Sequence, residues 1–316
     1  MVLNPVKIRI FLEKIILVPS GLGLNPLYEG HIPGTFRAPA VLMHHGLDKM
    51  FPSCNFVTVP CPEYSPECEP GTDILNGHKL RQLNLRLADE VEAAHHRNLK
   101  PVVIGGDCAI LPGALLGSRR QLGQLALVHI DGHSDFRHPG NWKREPGARP
   151  GAAAGMDLAL VTGRGEPLLT AWPGIEGSLV QDDAVIQLGE RESLLEDYEW
   201  PDIVGTDIRR ITIFDALKLP DHDLINVIFE RLNLFPEMPY WIHLDMDVLD
   251  SSEMSAVDCP GNPGLSSETL VNLCRELFRN MRCCGITVTI YDPDLDHEGT
   301  AAKLILDMLR SITNNT

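Results

Sequence analysis

The chain has 316 residues, of which 44% are hydrophobic and 22% charged, and it carries a formal net charge of -16. That length and balance suit one large α/β domain or two ordinary ones, either able to bury a sizeable core. The acidity argues against nucleic acid or an anionic membrane as partner, because both select basic surfaces. No apolar run reaches the roughly 18 residues that cross a bilayer. Lys7, Arg9, Glu13 and Lys14 interrupt any signal-peptide apolar core over residues 1–20, so the expectation is a cytoplasmic protein.

Residues 8–18 read as a first strand, ended by the turn Pro19-Ser20-Gly21-Leu22-Gly23. That turn lacks the Gly-Lys-Ser/Thr of a phosphate loop and the full dinucleotide spacing, so it gives little support to nucleotide binding. A short helix is expected over residues 40–47, and residues 51–72, dense in Pro, Cys and Glu, read as a long surface loop. From Gly77 onward Leu80, Leu83, Leu87, Val91 and Ala94 recur at helical steps, with Arg81, Asp89, Glu90 and Glu92 between them. A strand over 101–104, the turn Gly105-Gly106-Asp107-Cys108, a helix over 111–120 and a strand over 125–130 follow. This βαβ order implies a parallel sheet.

Residues 137–155 hold Pro139, Gly140, Pro146, Gly147, Pro150 and Gly151 with little periodicity. They read as a long irregular loop at the carboxyl edge of the sheet, where long ordered loops usually belong to a site. A helix over 156–162, strands over 184–189 and 211–214, and a helix over 222–232 with Asp221 as its N-cap come next. A strand over 240–244 leads to a helix ending near residue 278, capped by Ser266 or Ser267 with Glu268 in its first turn. A strand over 285–291 and a helix over 301–312 close the pattern. With no internal repeat, a single domain over residues 1–316 is expected.

Eight cysteines are too few for a disulfide scaffold in a chain this long. Cys54, Cys61 and Cys68 recur every seven residues, but the spacing fits no short zinc knuckle and they read as reduced thiols. Cys283 and Cys284 read as small core residues.

The chemistry concentrates in three stretches: Gly105 to Cys108, Asp131-Gly132-His133-Ser134-Asp135, and His243-Leu244-Asp245-Met246-Asp247. Together they supply five carboxylates, two imidazoles and one thiol. Each ends a buried-strand pattern, and in an open parallel sheet ligands gather at the carboxyl ends of strands. Asp131, His133 and Asp135 alternate along an extended segment, as do Asp245 and Asp247, so each set can face one side. Clustered buried carboxylates need a cation, and carboxylate mixed with imidazole suits manganese, nickel, iron or zinc better than calcium. A polynuclear metal site is expected.

These stretches resemble the ureohydrolase family of arginases, agmatinases and formimidoylglutamases. The family pattern is Gly-Gly-Asp-His, Asp-Ala-His-x-Asp and Ser-x-Asp-x-Asp-x-x-Asp-Pro, matched in order by residues 105–108, 131–135 and 243–250. Residues 260–264 match the downstream Pro-Gly region, and Asp292-Pro293 with Asp294 and Asp296 the exit of the last strand. The resemblance covers nearly the whole chain. It implies a three-layer α/β/α fold around a mostly parallel sheet of about eight strands. It also implies a binuclear divalent metal site, manganese before nickel or zinc, and homo-oligomers, trimeric or hexameric.

Carried over by position, the resemblance makes Asp131 and Asp245 shared by two metals, with His133 and Asp247 completing one and Cys108 and Asp135 the other. Water activated between the metals would attack the carbon of a guanidino or amidino substrate, Asp135 would carry the proton to the leaving nitrogen, and urea or a related amide would leave. Three positions depart from the pattern. Cys108 replaces a ligand histidine, Ala154 a histidine that assists proton transfer, and Ile290 a glutamate that pairs with guanidinium. His138 is the candidate replacement proton carrier. Arg137, in an Asp-x-Arg like that of formimidoylglutamases, is the candidate for a substrate carboxylate, and Asp292 for a cationic group. His243 stands in place of a serine, as a partner for a ligand or as a packed strand residue. Two functional classes follow: a metal-dependent hydrolase of linear guanidino or amidino C–N bonds, and a non-catalytic, metal-poor binding or structural member of the same fold. A single-zinc deacetylase on a related fold would have no use for both Asp135 and Asp247.

Overall fold

The computed structural model describes residues 13–194 and 201–313. Eight strands form one sheet: β1 (Glu13–Leu17), β2 (Asn55–Thr58), β3 (Lys100–Ile104), β4 (Ala126–Ile130), β5 (Val185–Leu188), β6 (Arg209–Ile211), β7 (Tyr240–Asp245) and β8 (Cys283–Thr289). Their order is β2-β1-β3-β8-β7-β4-β5-β6, and every pairing is parallel. Residues 8–12 of the expected first strand lie outside the described residues.

The interior strands are mostly apolar and buried along nearly their whole length because both their faces are covered. Tyr240 and Trp241 point to opposite faces, as neighbours on a strand must. The Tyr240 hydroxyl donates to the Leu277 carbonyl at 2.6 Å, in the helix Ser267–Arg279, while Trp241 meets the His95 ring edge-on at 6.5 Å, in the helix Gly77–His96. Helices therefore flank the sheet on both sides, giving three layers. The helix Leu111–Leu122 lies tightly on Gly77–His96 because Gly113 and Gly117 face it. A Cβ at these glycines would sit 2.7 Å from the Asn84 carbonyl oxygen and 2.4 Å from that of Ala88.

Three expectations need correction. β2 lies inside the stretch read as loop; it is a four-residue edge strand, half exposed, with too few apolar residues to show a period. Residues 211–214 are not a strand. β6 ends at Ile211, and Ile213–Ala216 is a helical turn capped by the Thr212 hydroxyl, which accepts from the Asp215 amide. Asp221 is the first residue of its helix rather than the cap, and its carboxylate instead accepts from Thr269 Oγ1 and Asn272 Nδ2. The cap expected at Ser266 is present, accepting from the Thr269 amide at 3.1 Å. Among the described residues no helix is long and apolar enough to cross a membrane.

The topology places the site. β1, β2 and β3 build one side of the sheet and β4, β5 and β6 the other, and β7 and β8 return into the gap between β3 and β4. All three acidic stretches thus leave central strands, β3, β7 and β4, at their carboxyl ends, the position where α/β sheets bind ligands.

Candidate metal centre

Beyond β3 the chain turns at Gly106, where a Cβ would lie 1.8 Å from the Ser20 carbonyl oxygen, so only glycine lets the backbone pass. Asp107 is consumed by this turn: it accepts from Ser20 Oγ at 2.7 Å and from the Ala109 amide at 3.0 Å. Cys108 is thereby fixed, fully buried, with Sγ 2.9 Å from Asp245 Oδ2 and 3.0 Å from Thr289 Oγ1.

β4 and β7 are adjacent, with His129 paired to His243 in register. Their ends bring Asp131 and His133 to Asp247. His133 Nδ1 lies 2.9 Å from Asp247 Oδ2 and 3.7 Å from Asp131 Oδ1. Asp131 Oδ1 also accepts from the His133 amide at 2.6 Å, and Asp245 Oδ1 from the Asp247 amide at 2.7 Å. Asp131 Oδ2 is buried without a hydrogen-bond partner. Ligand-type atoms of Asp131, His133 and Asp247 lie within 4.8 Å of one another, and so do those of Cys108, Asp131 and Asp245. Asp131 is common to both groups. Asp135, held at φ 45°, turns instead toward His129 and Asp157 and forms a further group with them.

The electrostatics are those of a site assembled for cations. Burial, and then neighbouring carboxylates, raise Asp135 and Asp245 well above the ordinary carboxylate range; burial and Asp245 likewise push the Cys108 thiol up. Burial opposes the charge on His133, but Asp247 outweighs it and holds the imidazole well above its usual value. The converse holds at Asp247, where His133 and then Arg191 overcome burial and lower the carboxyl. So many like charges in one buried volume cannot all ionise without a positive partner. The donor set of carboxylates, imidazole and thiol fits divalent transition metals.

Above these groups lies an open cavity of about 190 Å³, with Asp135, Arg137, Ala154, Glu192, Asp258 and Ile290 on its walls. Ile290 adopts φ 72°, unusual for a β-branched residue, and its amide donates to the Gly106 carbonyl at 2.7 Å. Non-glycine residues in this conformation cluster at functional sites. Ala154 and Ile290 leave two walls apolar where the family pattern has a histidine and a glutamate.

The structure does not bring every expected residue to this cavity. His138 is absent from its lining; its Nε2 lies 2.6 Å from Asp202 Oδ2 and its Nδ1 accepts from the Gly140 amide. Asp292 is absent too, accepting from the Gly34 amide at 3.2 Å and the Asp294 amide at 2.9 Å. Neither position had a sequence feature that could fix the direction of its side chain. Among the described residues, Cys54, Cys61 and Cys68 enter no group of metal-competent side chains.

Sequence reasoning missed several residues. His129 and Asp157 are fully buried and joined, His129 Nε2 to Asp157 Oδ1, at 3.0 Å. The period-two alternation of Asp131, His133 and Asp135 extends back to His129 and was a signal for it. Asp157 heads a helix and had no such signal. Arg191 slots between Gly132 and Gly261, where a Cβ on either would stand 2.5 Å from its Nη1. It donates to the Asp247 carbonyl at 2.7 Å and the Pro263 carbonyl at 3.2 Å, which ties a ligand segment to the neighbouring loop. Asp258, raised chiefly by burial, and Glu192, which accepts from the Ser134 amide and hydroxyl, complete the acidic wall.

Comparison with known proteins shows the family. The chain is similar to an agmatinase of Bacillus subtilis (23% identical over 270 residues, 80% of this chain and 81% of that one) and to an arginase of Bacillus caldovelox (28% over 261 residues, again 80% and 81%). The crystal structure of Bacillus caldovelox arginase superposes with a TM-score of 0.82 at 22% identity, covering 96% of this chain and 98% of that one. Formimidoylglutamase from Bacillus subtilis superposes at 0.69 and 17% identity, covering 95% and 85%. The family model described as the arginase family matches residues 38–313, and the chain belongs to that family.

Proposed function

We propose that the protein is a metal-dependent hydrolase that cleaves a C–N bond in a linear amidino or guanidino compound, releasing urea or a related amide. The observation that carries this reading is Asp131: one buried carboxylate common to two groups of potential ligands, His133 with Asp247 and Cys108 with Asp245, of which His133, Asp245 and Asp247 line an open cavity. Asp135 stands on the cavity wall beside these groups and falls into a group with His129 and Asp157.

Two divalent cations bound here would supply an activated water at neutral pH and polarise the substrate carbon. The chain's own residues do the rest. Asp131, Asp245 and Asp247 have their backbone-facing oxygens held by amides, so their remaining oxygens are pre-oriented. Asp135 lies on the cavity wall, and burial raises its carboxyl so that it can hold a proton for the leaving nitrogen. Arg137 offers a planar fork to a substrate carboxylate. With Ile290 on the wall, the reacting group meets apolar surface on that side, and negative charge comes from Asp258 and Glu192 instead. An amidine or a guanidine attached to a carboxylate-bearing chain fits this distribution better than a doubly cationic substrate.

The test is release of urea, formamide or ammonia by metal-loaded protein across guanidino and amidino compounds with and without a carboxylate. Turnover confined to carboxylate-bearing compounds, with KM raised in Arg137→Ala, supports the assignment. Two bound metals per chain with no release from any compound would move the protein to the binding or structural class, which Ala154 and Ile290 in the cavity wall favour. Trimeric or hexameric assembly belongs to the same proposal and is read by sedimentation.

A further inference from the structure

At the edge of the sheet opposite the metal centre, where β4 and β5 begin, lies a second cavity of about 170 Å³. Arg119, in the last turn of the helix Leu111–Leu122, and Asp183, in the turn before β5, both line it. Each has a chain neighbour of the same charge that is already paired. Arg120 Nη1 lies 2.8 Å from Asp89 Oδ1 and 3.4 Å from Glu92 Oε2, and Arg164 holds Asp182 through two nitrogens at 2.8 and 2.6 Å. Among the described residues, neither the Arg119 guanidinium nor the Asp183 carboxylate has such a partner, and the two do not pair with each other. Arg119 is half-buried, and its Nε is fully buried without a hydrogen-bond acceptor.

A guanidinium in that position has given up part of its hydration, and its planar fork of N–H donors is unmatched on the side where a carboxylate takes two bonds at once. The carboxyl end of its own helix offsets part of the charge, but no helix carbonyl accepts from Nε. The other walls divide by chemistry. Phe235 and Met238 are apolar, while Gln181 donates to the Ser178 hydroxyl at 2.9 Å and the pair forms a polar side. The volume is well under the roughly 300–1,000 Å³ of drug-sized pockets and close to the ~150 Å³ that admits benzene. Nucleotides and large cofactors are excluded by size.

We infer that this cavity is a second small-molecule site, for an α-amino acid with a small aliphatic side chain: its carboxylate on the Arg119 fork, its ammonium on Asp183, and its side chain against Phe235 and Met238. A zwitterion satisfies both unpaired charges together. An inorganic anion would face Asp183 as a like charge, and a simple amine would leave Arg119 without an acceptor. The site shares no residue with the metal centre, so it stands or falls independently of the proposed reaction.

The experiment is calorimetric titration of the full chain with leucine, with isoamylamine, which lacks the carboxylate, and with isocaproate, which lacks the ammonium. Wild type should bind leucine, about tenfold more weakly in Arg119→Gln, where a half-buried, charge-assisted contact is lost. In Asp183→Asn, whose carboxylate is exposed, the loss should be about threefold. Isoamylamine and isocaproate should bind wild type more weakly than leucine by the same two factors, and Arg137→Ala should leave leucine binding unchanged. Full affinity in Arg119→Gln overturns the inference, and so does no binding by wild type. Loss of leucine binding in Arg137→Ala instead would place the ligand in the catalytic cavity and overturn it too. Equal affinity for leucine and isocaproate overturns the zwitterion assignment. If a variant fails to fold, a wild-type crystal soaked with leucine decides: density joining Arg119 to Asp183 upholds the inference, and an empty cavity overturns it.

Discussion

Asp131 belongs to both groups of ligand atoms and Asp247 to one, and that asymmetry has a measurable consequence. A metal at a hundred times its Kd stabilises the folded state by about 2.7 kcal/mol per site. A chain of 316 residues unfolds with an entropy of about 0.7 kcal/mol/K, so each occupied site raises Tm by about 4 °C and two sites by about 8 °C. Asp131→Asn keeps the side-chain shape and an acceptor for the His133 amide, and removes one of several buried like charges. The metal-free variant should therefore fold at least as well as wild type, yet lose the whole metal-induced shift. Asp247→Asn should lose about half, about 4 °C. Differential scanning calorimetry with and without saturating manganese or zinc measures both. If Asp131→Asn keeps the full shift, or the two variants lose equal amounts, Asp131 is not the shared ligand and the two-site geometry is wrong.

Further predictions concern the frame around the site. Burial holds His95 down to about 4 against an ordinary 6.5. A base depressed in the folded state is stabilising in its neutral form, so its contribution is complete above pH 6.5 and is lost as pH falls toward 4, by at most about 3 kcal/mol. Urea unfolding at pH 7.5 and 4.5 should show this loss in wild type and much less of it in His95→Gln; equal losses would reject the assignment. Gly285→Ala would place a Cβ 2.2 Å from the buried Trp241 ring, an overpacking that costs about 1–3 kcal/mol and lowers Tm by about 2–5 °C. An unchanged Tm would mean that the ring shifts freely. Arg191→Lys keeps a charge but cannot reach both the Asp247 and Pro263 carbonyls, and should weaken metal binding at His133 and Asp247 about tenfold to a hundredfold. Calorimetric titration with manganese reads that loss, and wild-type affinity would show that Arg191 only fills space.

The sequence by itself determined the layers and the floor of the site. The interior strands are apolar runs with turn signals at their ends, and the helix from Gly77 shows its period because one face is buried and the other wet. Asp131, Asp245 and Asp247 were legible because strand alternation fixes which way a residue at a strand end points. Tertiary structure alone decided the rest. β2 pairs at an edge through backbone hydrogen bonds, which leave no mark on side-chain pattern. Asp135 and Ile290 take left-handed backbone conformations that no alternation rule anticipates, so Asp135 turns to His129 and Asp157 while Ile290 becomes cavity wall. His138 and Asp292 stand beside motif residues in the chain, but their side chains are claimed by Asp202 and by the Gly34 and Asp294 amides. Asp157 and His243 are 86 positions apart in the sequence, and only tertiary packing sets His243 Nε2 3.2 Å from Asp157 Oδ2. Spacing along a strand encodes direction, whereas contact between strands depends on the order in which the sheet is assembled.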